Sequence, residues 1–191
     1  RQYPEAASAL DRAQILAPQA LEMHYQRGAL AHVQGQLQAA LSAYDQVAAI
    51  DPKHVEARVA RAGIYVDQRR FPEAARDLAE LQKLLPKEPR AAYLRALLAE
   101  RDGKKAEAQA ALRQVTDLLD AAPPDIVQFR PQLLLLNGLA HYALNEKAKA
   151  KPYLEALQRV QGATGASKLL AQIHLQEGST ERAISVLEAY L

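Results

Sequence analysis

The stretch that decides the fold is residues 28–52, GALAHVQGQLQAALSAYDQVAAIDP. Apolar residues recur every three or four positions on both sides of Gly35, which is the spacing of one face of an α-helix. Gly35 interrupts the pattern, and glycine readily adopts the left-handed conformation that ends a helix. Pro52 stops the second run, because proline cannot continue a helix. The stretch therefore predicts two antiparallel helices joined by a short turn.

The same pattern recurs along the chain with a period of about 34 residues. The first register is formed by Pro18, Pro52 and Pro86. Small residues form a second register and larger residues four positions later form a third: Ala6, Ala40, Ala74 and Ala108, then Leu10, Tyr44, Leu78 and Leu112. After an offset of eight residues the pattern resumes at Ala150 and Leu154. It returns once more, in the next unit, at Ala183 and Leu187. Agreement of three registers indicates an array of helical repeats.

Residues that tolerate a left-handed backbone stand where most of the first helices end. They are Gly35, Gly103, Asn145 and Gly178. One unit has Arg69 at this position instead. Because Arg69 is not such a residue, we expect its turn to close differently.

A helix–turn–helix of this length, with Gly28, Ala40, Tyr44 and Pro52 at these positions, resembles the tetratricopeptide repeat. The resemblance covers essentially the whole chain, although the early tryptophan of the family is absent and the fourth unit ends in Asp120 rather than proline. It implies an all-α, right-handed α-solenoid of stacked antiparallel helix pairs with about eleven helices.

The repeat spacing places the whole chain in one array, which we interpret as a segment of a longer one. Residues 1–18 form the second helix of a truncated repeat, and the last repeat, 165–191, is incomplete. Between them lie the full repeats 21–54, 55–88, 89–122 and 131–164, and the insertion 123–130.

The irregular stretch 120–130 adds the eight extra residues to the period. Pro123 and Pro124 end the preceding helix, which leaves a rigid corner and a hinge between two sub-arrays as alternatives to an ordinary surface loop. Phe129, one of only two phenylalanines, indicates that part of the insertion packs inward.

Composition excludes several classes of function. The 24 Lys+Arg and 22 Asp+Glu residues are interleaved and give a net charge of +2, so no basic stripe is available for nucleic acid or an anionic bilayer. The chain has no cysteine, which excludes thiol catalysis and Cys-ligated zinc. Its longest strongly apolar stretch, residues 133–144, is too short to span a membrane.

The sequence shows no converging set of catalytic polar groups, so we predict that the chain is not an enzyme and has no cofactor. His141 and His174 occupy a position where the repeat family often has tyrosine, which favours core packing. The other histidines, His24, His32 and His54, lack the spacing of metal ligands, so no metal site is predicted.

The densest basic run is formed by Arg58, Arg61, Arg69 and Arg70, accompanied by acidic residues. We expect it to be a solvated, salt-bridged helix face.

In the tetratricopeptide repeat family, the first helix of each pair lines the concave surface. Carrying those positions over residue by residue gives an apolar strip with tyrosines along it. The candidate partner-binding residues are Tyr25, His32, Val59, Tyr93, Leu97, Arg101, Leu135 and Tyr142. The resemblance implies a protein or peptide partner in this groove rather than a polysaccharide.

The Ala/Leu-rich final units, such as residues 133–144 and 165–171, look like the repeats of the PEP-CTERM system TPR-repeat lipoproteins. That resemblance implies a periplasm-facing scaffold, anchored to the outer membrane, that serves exopolysaccharide assembly or protein sorting. Two alternatives remain open. One is the periplasmic superhelix of an exopolysaccharide secretion protein, such as the one that works with cellulose synthase, and the other is a regulatory domain of a larger enzyme. The alternative compartment is the cytoplasm.

Overall fold

The computed structural model describes residues 3–17, 20–127 and 129–191, which form helices and short connections. Eleven helices have nine or more residues, and α8 is a single turn, which confirms the predicted all-α class. The helices are α1 (Tyr3–Leu16), α2 (Leu21–Val33), α3 (Leu37–Ile50), α4 (Val55–Asp67), α5 (Phe71–Leu84), α6 (Pro89–Arg101), α7 (Lys105–Asp120), α8 (Pro124–Val127), α9 (Pro131–Ala143), α10 (Lys147–Gln161), α11 (Ser167–Gln176) and α12 (Thr180–Glu188). None of the helices in these ranges is long and apolar enough to cross a membrane.

The helices pack as antiparallel pairs, and the repeated small residues lie at the contacts. The pairs α2–α3, α4–α5, α9–α10 and α11–α12 make the most extensive contacts. Gly28 shows why a small residue is needed, because a Cβ atom there would lie 2.5 Å from Cε1 of Tyr44 on the next helix. A Cβ atom on Gly138 would lie 2.7 Å from Cδ2 of Leu154. The small residue on one helix therefore makes room for the large residue on the other.

All five turns inside the pairs have the same backbone geometry, so the expectation of a different turn at Arg69 is wrong. Arg69 has φ 59°, close to the 73° of Gly35. Its N–H bonds to the carbonyl of Val66 at 3.0 Å, and the next N–H bonds to the carbonyl of Tyr65 at 2.7 Å. Both bonds are present at the other four turns. The repeat geometry therefore overrides the local preference of Arg69, at a cost of about 1–2 kcal/mol.

The chain forms two compact units, Arg1–Leu94 and Arg95–Leu191. A buried cluster in the first unit joins α2, α3 and α4 through residues such as Ala40, Tyr44 and Ile64. A corresponding cluster in the second unit joins α10, α11 and α12 through residues such as Leu154 and Ala183. Each core is thus continuous from one helix pair to the next, as expected when no pair can bury its apolar face alone.

The insertion lies inside the second unit, and part of it packs inward as expected, although through Val127 and not through Phe129. Phe129 is 73% exposed, whereas Val127 packs against Leu134 and Leu157. The single turn of α8 aims Val127 at the core and ends before Phe129 is reached. The helices α7 and α9, on either side of the insertion, contact each other directly, which favours the rigid corner over the hinge.

Candidate functional site

In the first unit, the predicted groove residues differ in how much surface they offer. Tyr25 is partly buried, with its ring centroid 5.1 Å from that of His54. His32 and Tyr93 are also partly exposed, and burial raises the pKa of the Tyr93 hydroxyl. Val59 is only 6% exposed, so its side chain belongs mainly to the core. The tyrosines are therefore the residues of this set that can offer a partner both an apolar ring and a hydroxyl group.

Charged groups near Tyr25 make the surroundings of this residue more polar than the apolar strip that the sequence predicts. Burial and, secondarily, the carboxylate of Glu56 raise the pKa of Tyr25, while the nearby guanidinium of Arg90 acts in the opposite direction. Arg90 is held in place by the buried Glu88, which accepts hydrogen bonds from Nε at 2.7 Å and Nη2 at 2.8 Å. The Glu88–Arg90 spacing of two residues is not a helix-face pattern, so this pair leaves no signal in the sequence.

In the second unit, the predicted residues keep their rings and alkyl groups accessible while their polar atoms are engaged. Leu97 is 39% exposed, and Arg101 donates from Nε to Asp102 at 2.7 Å. Leu135 and Tyr142 are partly buried. The Tyr142 hydroxyl donates to Oε1 of Gln172 at 2.7 Å, which leaves mainly the ring for contact with a partner.

A cluster of polar side chains that the sequence did not reveal converges on Asp120. One oxygen of this carboxylate, Oδ1, accepts from Nδ2 of Asn137 at 2.8 Å and from the Tyr153 hydroxyl at 2.8 Å. Nε2 of His141 lies 3.1 Å from the same oxygen, and Nδ1 of His141 lies 2.8 Å from Glu146. The cluster connects the end of α7 to α9 and α10.

These bonds shift the pKa values of Asp120, Glu146 and Tyr153. Burial alone would raise the pKa of Asp120, but the hydrogen bonds from Asn137, His141 and Tyr153 outweigh it, and the pKa lies below its ordinary value. The hydrogen bond from His141 lowers the pKa of Glu146. Burial and the bond to Asp120 raise the pKa of Tyr153 to about 12. The cluster is therefore suited to holding helices together, because its donors are already used.

This cluster leaves no signal in the sequence, because its members are far apart in the chain. The sequence marks Asp120 only as a departure from proline, and the family resemblance assigns His141 to core packing. Burial of His141 is confirmed at 1% exposure, but its role is polar. Within the described ranges, no group of three or more His, Asp or Glu side chains is arranged to hold a metal ion.

The basic run is salt-bridged as expected, but two of its members are largely buried and not solvated. Arg58 and Arg61 both bond the buried carboxylate of Asp77, with Nη1 of Arg58 at 3.0 Å and Nε of Arg61 at 2.7 Å. Arg70 pairs instead with Glu73 near the surface, as expected. Asp77 lies on the next helix, so neighbouring residues in the sequence did not reveal it.

A periodic signal could have revealed the paired arginines. Arg27 and Arg61 occupy the same position of consecutive repeats. Each pairs with an aspartate of the preceding helix, Asp11 for Arg27 and Asp45 for Arg61. Arg95 follows in the same register, and its Nη2 bonds Gln114 at 2.9 Å. An arginine at this position is thus a feature that consecutive repeats share.

The polar cluster around Asp120 lines one of two related clefts. The first cleft lies between α7, α9 and α10, has a volume of about 530 Å³, and is lined by residues that include Asp120, Val127, Leu134, His141, Lys149 and Tyr153. The second cleft lies between α10, α11 and α12, has a volume of about 380 Å³, and is lined by residues that include Glu155, Gln158, Arg159, His174, Arg182 and Ser185.

Comparison with known proteins agrees with the repeat pattern. Profiles described as tetratricopeptide repeat match residues 31–98 and, separately, residues 1–55 and 135–191. No curated protein matches the chain. One similar solved structure is a tetratricopeptide repeat protein from Parabacteroides merdae, with 18% identity, a TM-score of 0.69, and coverage of 98% of this chain and 70% of that one.

Two further solved structures have the same fold. TTC0263, a thermophilic TPR protein in Thermus thermophilus, has 19% identity, a TM-score of 0.67, and coverage of 90% of each chain. YrrB, described as a TPR protein with an unusual peptide-binding site, has 14% identity, a TM-score of 0.53, and coverage of 95% of this chain and 90% of that one. The fold is therefore an α-solenoid of helix pairs, and because one profile alone matches more than half of its residues, the chain belongs to the tetratricopeptide repeat family.

Proposed function

We propose that this chain is a non-catalytic scaffold that binds a protein or peptide segment along the faces of its first helices. Tetratricopeptide repeats are typically protein–protein interaction scaffolds. The observation that carries the proposal is the set of accessible rings and alkyl groups on these helices, Tyr25, Tyr93, Leu97 and Tyr142. The description of YrrB as a peptide-binding TPR protein supports the same class of partner.

Tyrosine is suited to this role because it supplies a large contact area with few rotatable bonds. Hot spots at such interfaces are enriched in tyrosine, and truncating one costs about 2 kcal/mol or more. Tyr93 and Tyr142 lie on first helices of different compact units, so each tests the face of its own unit.

The experiment is selection of a phage-displayed peptide library on the chain, followed by titration of the selected peptides against variants. We expect Tyr93→Ala or Tyr142→Ala to weaken binding about tenfold or more while the helical circular dichroism is unchanged. Arg70→Ala is the control, because Arg70 bonds Glu73 and stacks on Tyr65 away from these residues. Full affinity in the double tyrosine variant would contradict the proposal.

We further propose that the scaffold faces the periplasm and serves an exopolysaccharide or PEP-CTERM protein-sorting system. The support is the resemblance of the Ala/Leu-rich final repeats, such as residues 133–144, to those lipoproteins. Fusion of alkaline phosphatase to the full-length protein tests the compartment, because this reporter is active only in the periplasm. An inactive but expressed fusion would favour the cytoplasm, the alternative compartment.

A further inference from the structure

The two clefts of the second unit are built from equivalent positions of consecutive repeats. His141 and His174 occupy the same position of the repeat, and so do Lys149 and Arg182. The turns beside them also match, with φ 61° at Asn145 and 73° at Gly178. The backbone therefore presents both histidines in the same way, and the clefts differ in the side chains around them.

In the first cleft, the chain supplies its own carboxylates to the histidine. Asp120 lies 3.1 Å from Nε2 of His141, and Glu146 lies 2.8 Å from Nδ1. Asn137 and Tyr153 add two more hydrogen bonds to Asp120. This histidine is therefore fully bonded within the protein.

In the second cleft, every one of these partners is replaced. The next repeat has Leu170, Ser179 and Val186 at the positions of Asn137, Glu146 and Tyr153, respectively. Asp120 lies twelve residues after Ala108, the small residue of its repeat. The equivalent position in the next repeat, twelve residues after Ala150, is Gly162. The carboxylate that closes the first cleft thus has no counterpart in the second.

His174 is left with an unsatisfied polar atom. The residue is 4% exposed, and its Nδ1 is buried without a hydrogen-bond partner among the described residues. The nearest carboxylate oxygen recorded for it, Oε2 of Glu177, is 3.8 Å away, and Glu177 already pairs with Lys151. A buried imidazole nitrogen in this position gains from an added hydrogen-bond partner, because an unpaired buried polar group is costly.

The charge around the second cleft also favours an anion. Arg159 and Arg182 line it, and in the described part of the chain no hydrogen bond or ion pair joins either arginine to another side chain. Glu155 is the one acidic residue among the lining residues that the structure describes. The Lys151–Glu177 pair beside the cleft adds no net charge. Two guanidinium groups and a histidine therefore line the cleft with a single carboxylate.

We propose that the second cleft binds a carboxylate side chain from an acidic segment of a partner protein. The partner's carboxylate would lie beside Nδ1 of His174, in the role that Glu146 takes beside Nδ1 of His141. Arg159 and Arg182 would hold it, since arginine pairs well with carboxylates. This site lies between second helices and the end of a first helix, so it is distinct from the first-helix faces proposed above and stands without them.

The test is a titration of the 191-residue chain with acetylated tetraglutamate amide, followed by NMR of the histidine ring signals. Only five histidines are present, so His174→Gln assigns the relevant signal by its disappearance. We expect the His174 signal to shift on titration and the His141 signal to stay in place. We expect tetraglutamine amide, the uncharged analogue, to leave both signals unchanged.

Two arginine variants and a matched control decide whether the second cleft is the site that binds tetraglutamate. Arg159→Gln and Arg182→Gln should each weaken binding about threefold, since an exposed ion pair contributes up to about 1 kcal/mol. Gln158→Glu should also weaken it by placing a competing carboxylate in the cleft. Lys149→Gln, the equivalent change in the first cleft, should have no effect.

Three outcomes would overturn the proposal. The first is a His174 signal that does not respond to tetraglutamate. The second is an equal loss of binding in Lys149→Gln and Arg182→Gln. The third is an equal shift of the His174 signal by inorganic phosphate at the same ionic strength, which would indicate a general oxyanion site rather than one for an acidic segment.

Discussion

The first and second clefts of the second unit have equivalent backbone positions, but the surroundings of their histidines differ. His141 lies between Asp120 and Glu146, with both ring nitrogens within 3.1 Å of a carboxylate oxygen. His174 occupies the same position one repeat later, and its buried Nδ1 has no hydrogen-bond partner among the described residues. The contrast shows that consecutive repeats can keep one packing pattern while they lose a complete polar network.

This difference separates two kinds of position within the repeat. Small and large apolar residues, such as Ala150 with Leu154 and Ala183 with Leu187, are maintained because each fills a fixed space between helices. Polar residues beside the clefts can change as a group, since the fold requires only that buried polar atoms find partners. Partners from another molecule can meet that requirement as well as partners from this chain.

The largest effect that we predict comes from removing the first histidine. His141→Phe keeps an aromatic ring, somewhat larger than imidazole, but deletes both bonds to carboxylates, and we expect the free energy of unfolding to fall by about 2–3 kcal/mol. His174→Phe is the matched control in the second cleft, where we expect a fall of less than about 1 kcal/mol. Urea unfolding followed by circular dichroism measures both. Equal losses in the two variants would contradict the difference between the clefts.

The second prediction concerns acid. A carboxyl group whose pKa is lowered on folding stabilises the folded state above its ordinary pKa, and this contribution disappears as the pH falls. The bonds around Asp120 lower its pKa from the ordinary 3.8 despite burial. Wild type should therefore lose more stability than Asp120→Asn when the pH is lowered from about 5 to 3.

Urea unfolding at several pH values measures this difference. Asp117→Asn is the control, because Asp117 is exposed on the same helix. Its pH dependence should follow that of wild type. Parallel curves for wild type and Asp120→Asn would mean that the Asp120 bonds add no stability.

The third prediction concerns the insertion beside the first cleft. If Asp120 and Val127 fasten this segment, the hydrogen-bonded amides of Ile126 and Arg130 should exchange as slowly as those of residues 97–112. In His141→Phe they should exchange faster, because the polar connection between α7 and α9 is weakened. Rapid exchange of both amides in wild type would instead indicate the hinge.

The smallest effect should come from exchanging the turn residues of the two clefts. Asn145 and Gly178 have nearly the same φ, and both residue types tolerate the left-handed conformation. Asn145→Gly and Gly178→Asn should each change the free energy of unfolding by less than about 1 kcal/mol. A larger loss measured by urea unfolding would mean that the two turns are not equivalent and that the backbone contributes to the difference between the clefts.

The fold could be predicted from the sequence because packing positions repeat at a fixed spacing. Ala40 and Ala74, which occupy the same position of consecutive repeats, are both completely buried. The insertion was harder, because the single turn of α8 buries Val127 and leaves the larger Phe129 exposed. Which of these two side chains is buried depends on the local backbone geometry, which the repeat pattern does not predict.

The polar sites could not be predicted in the same way. The partners Asp120 and Tyr153 are distant in the sequence, and so are Arg58 and Asp77. Such contacts depend on how one helix is placed against the next, and they are specific to one repeat. The arginine register that includes Arg61 is the exception, because it repeats and so leaves a signal in the sequence.

The most direct test of the difference between the clefts is the NMR spectrum of the histidine ring N–H groups. Both ring N–H protons of His141 should exchange slowly with water, because each is donated to a partly buried carboxylate. These two signals should vanish in His141→Phe, and His174 should give no slowly exchanging pair. Absence of the His141 signals, or an equally protected pair from His174, would contradict the account.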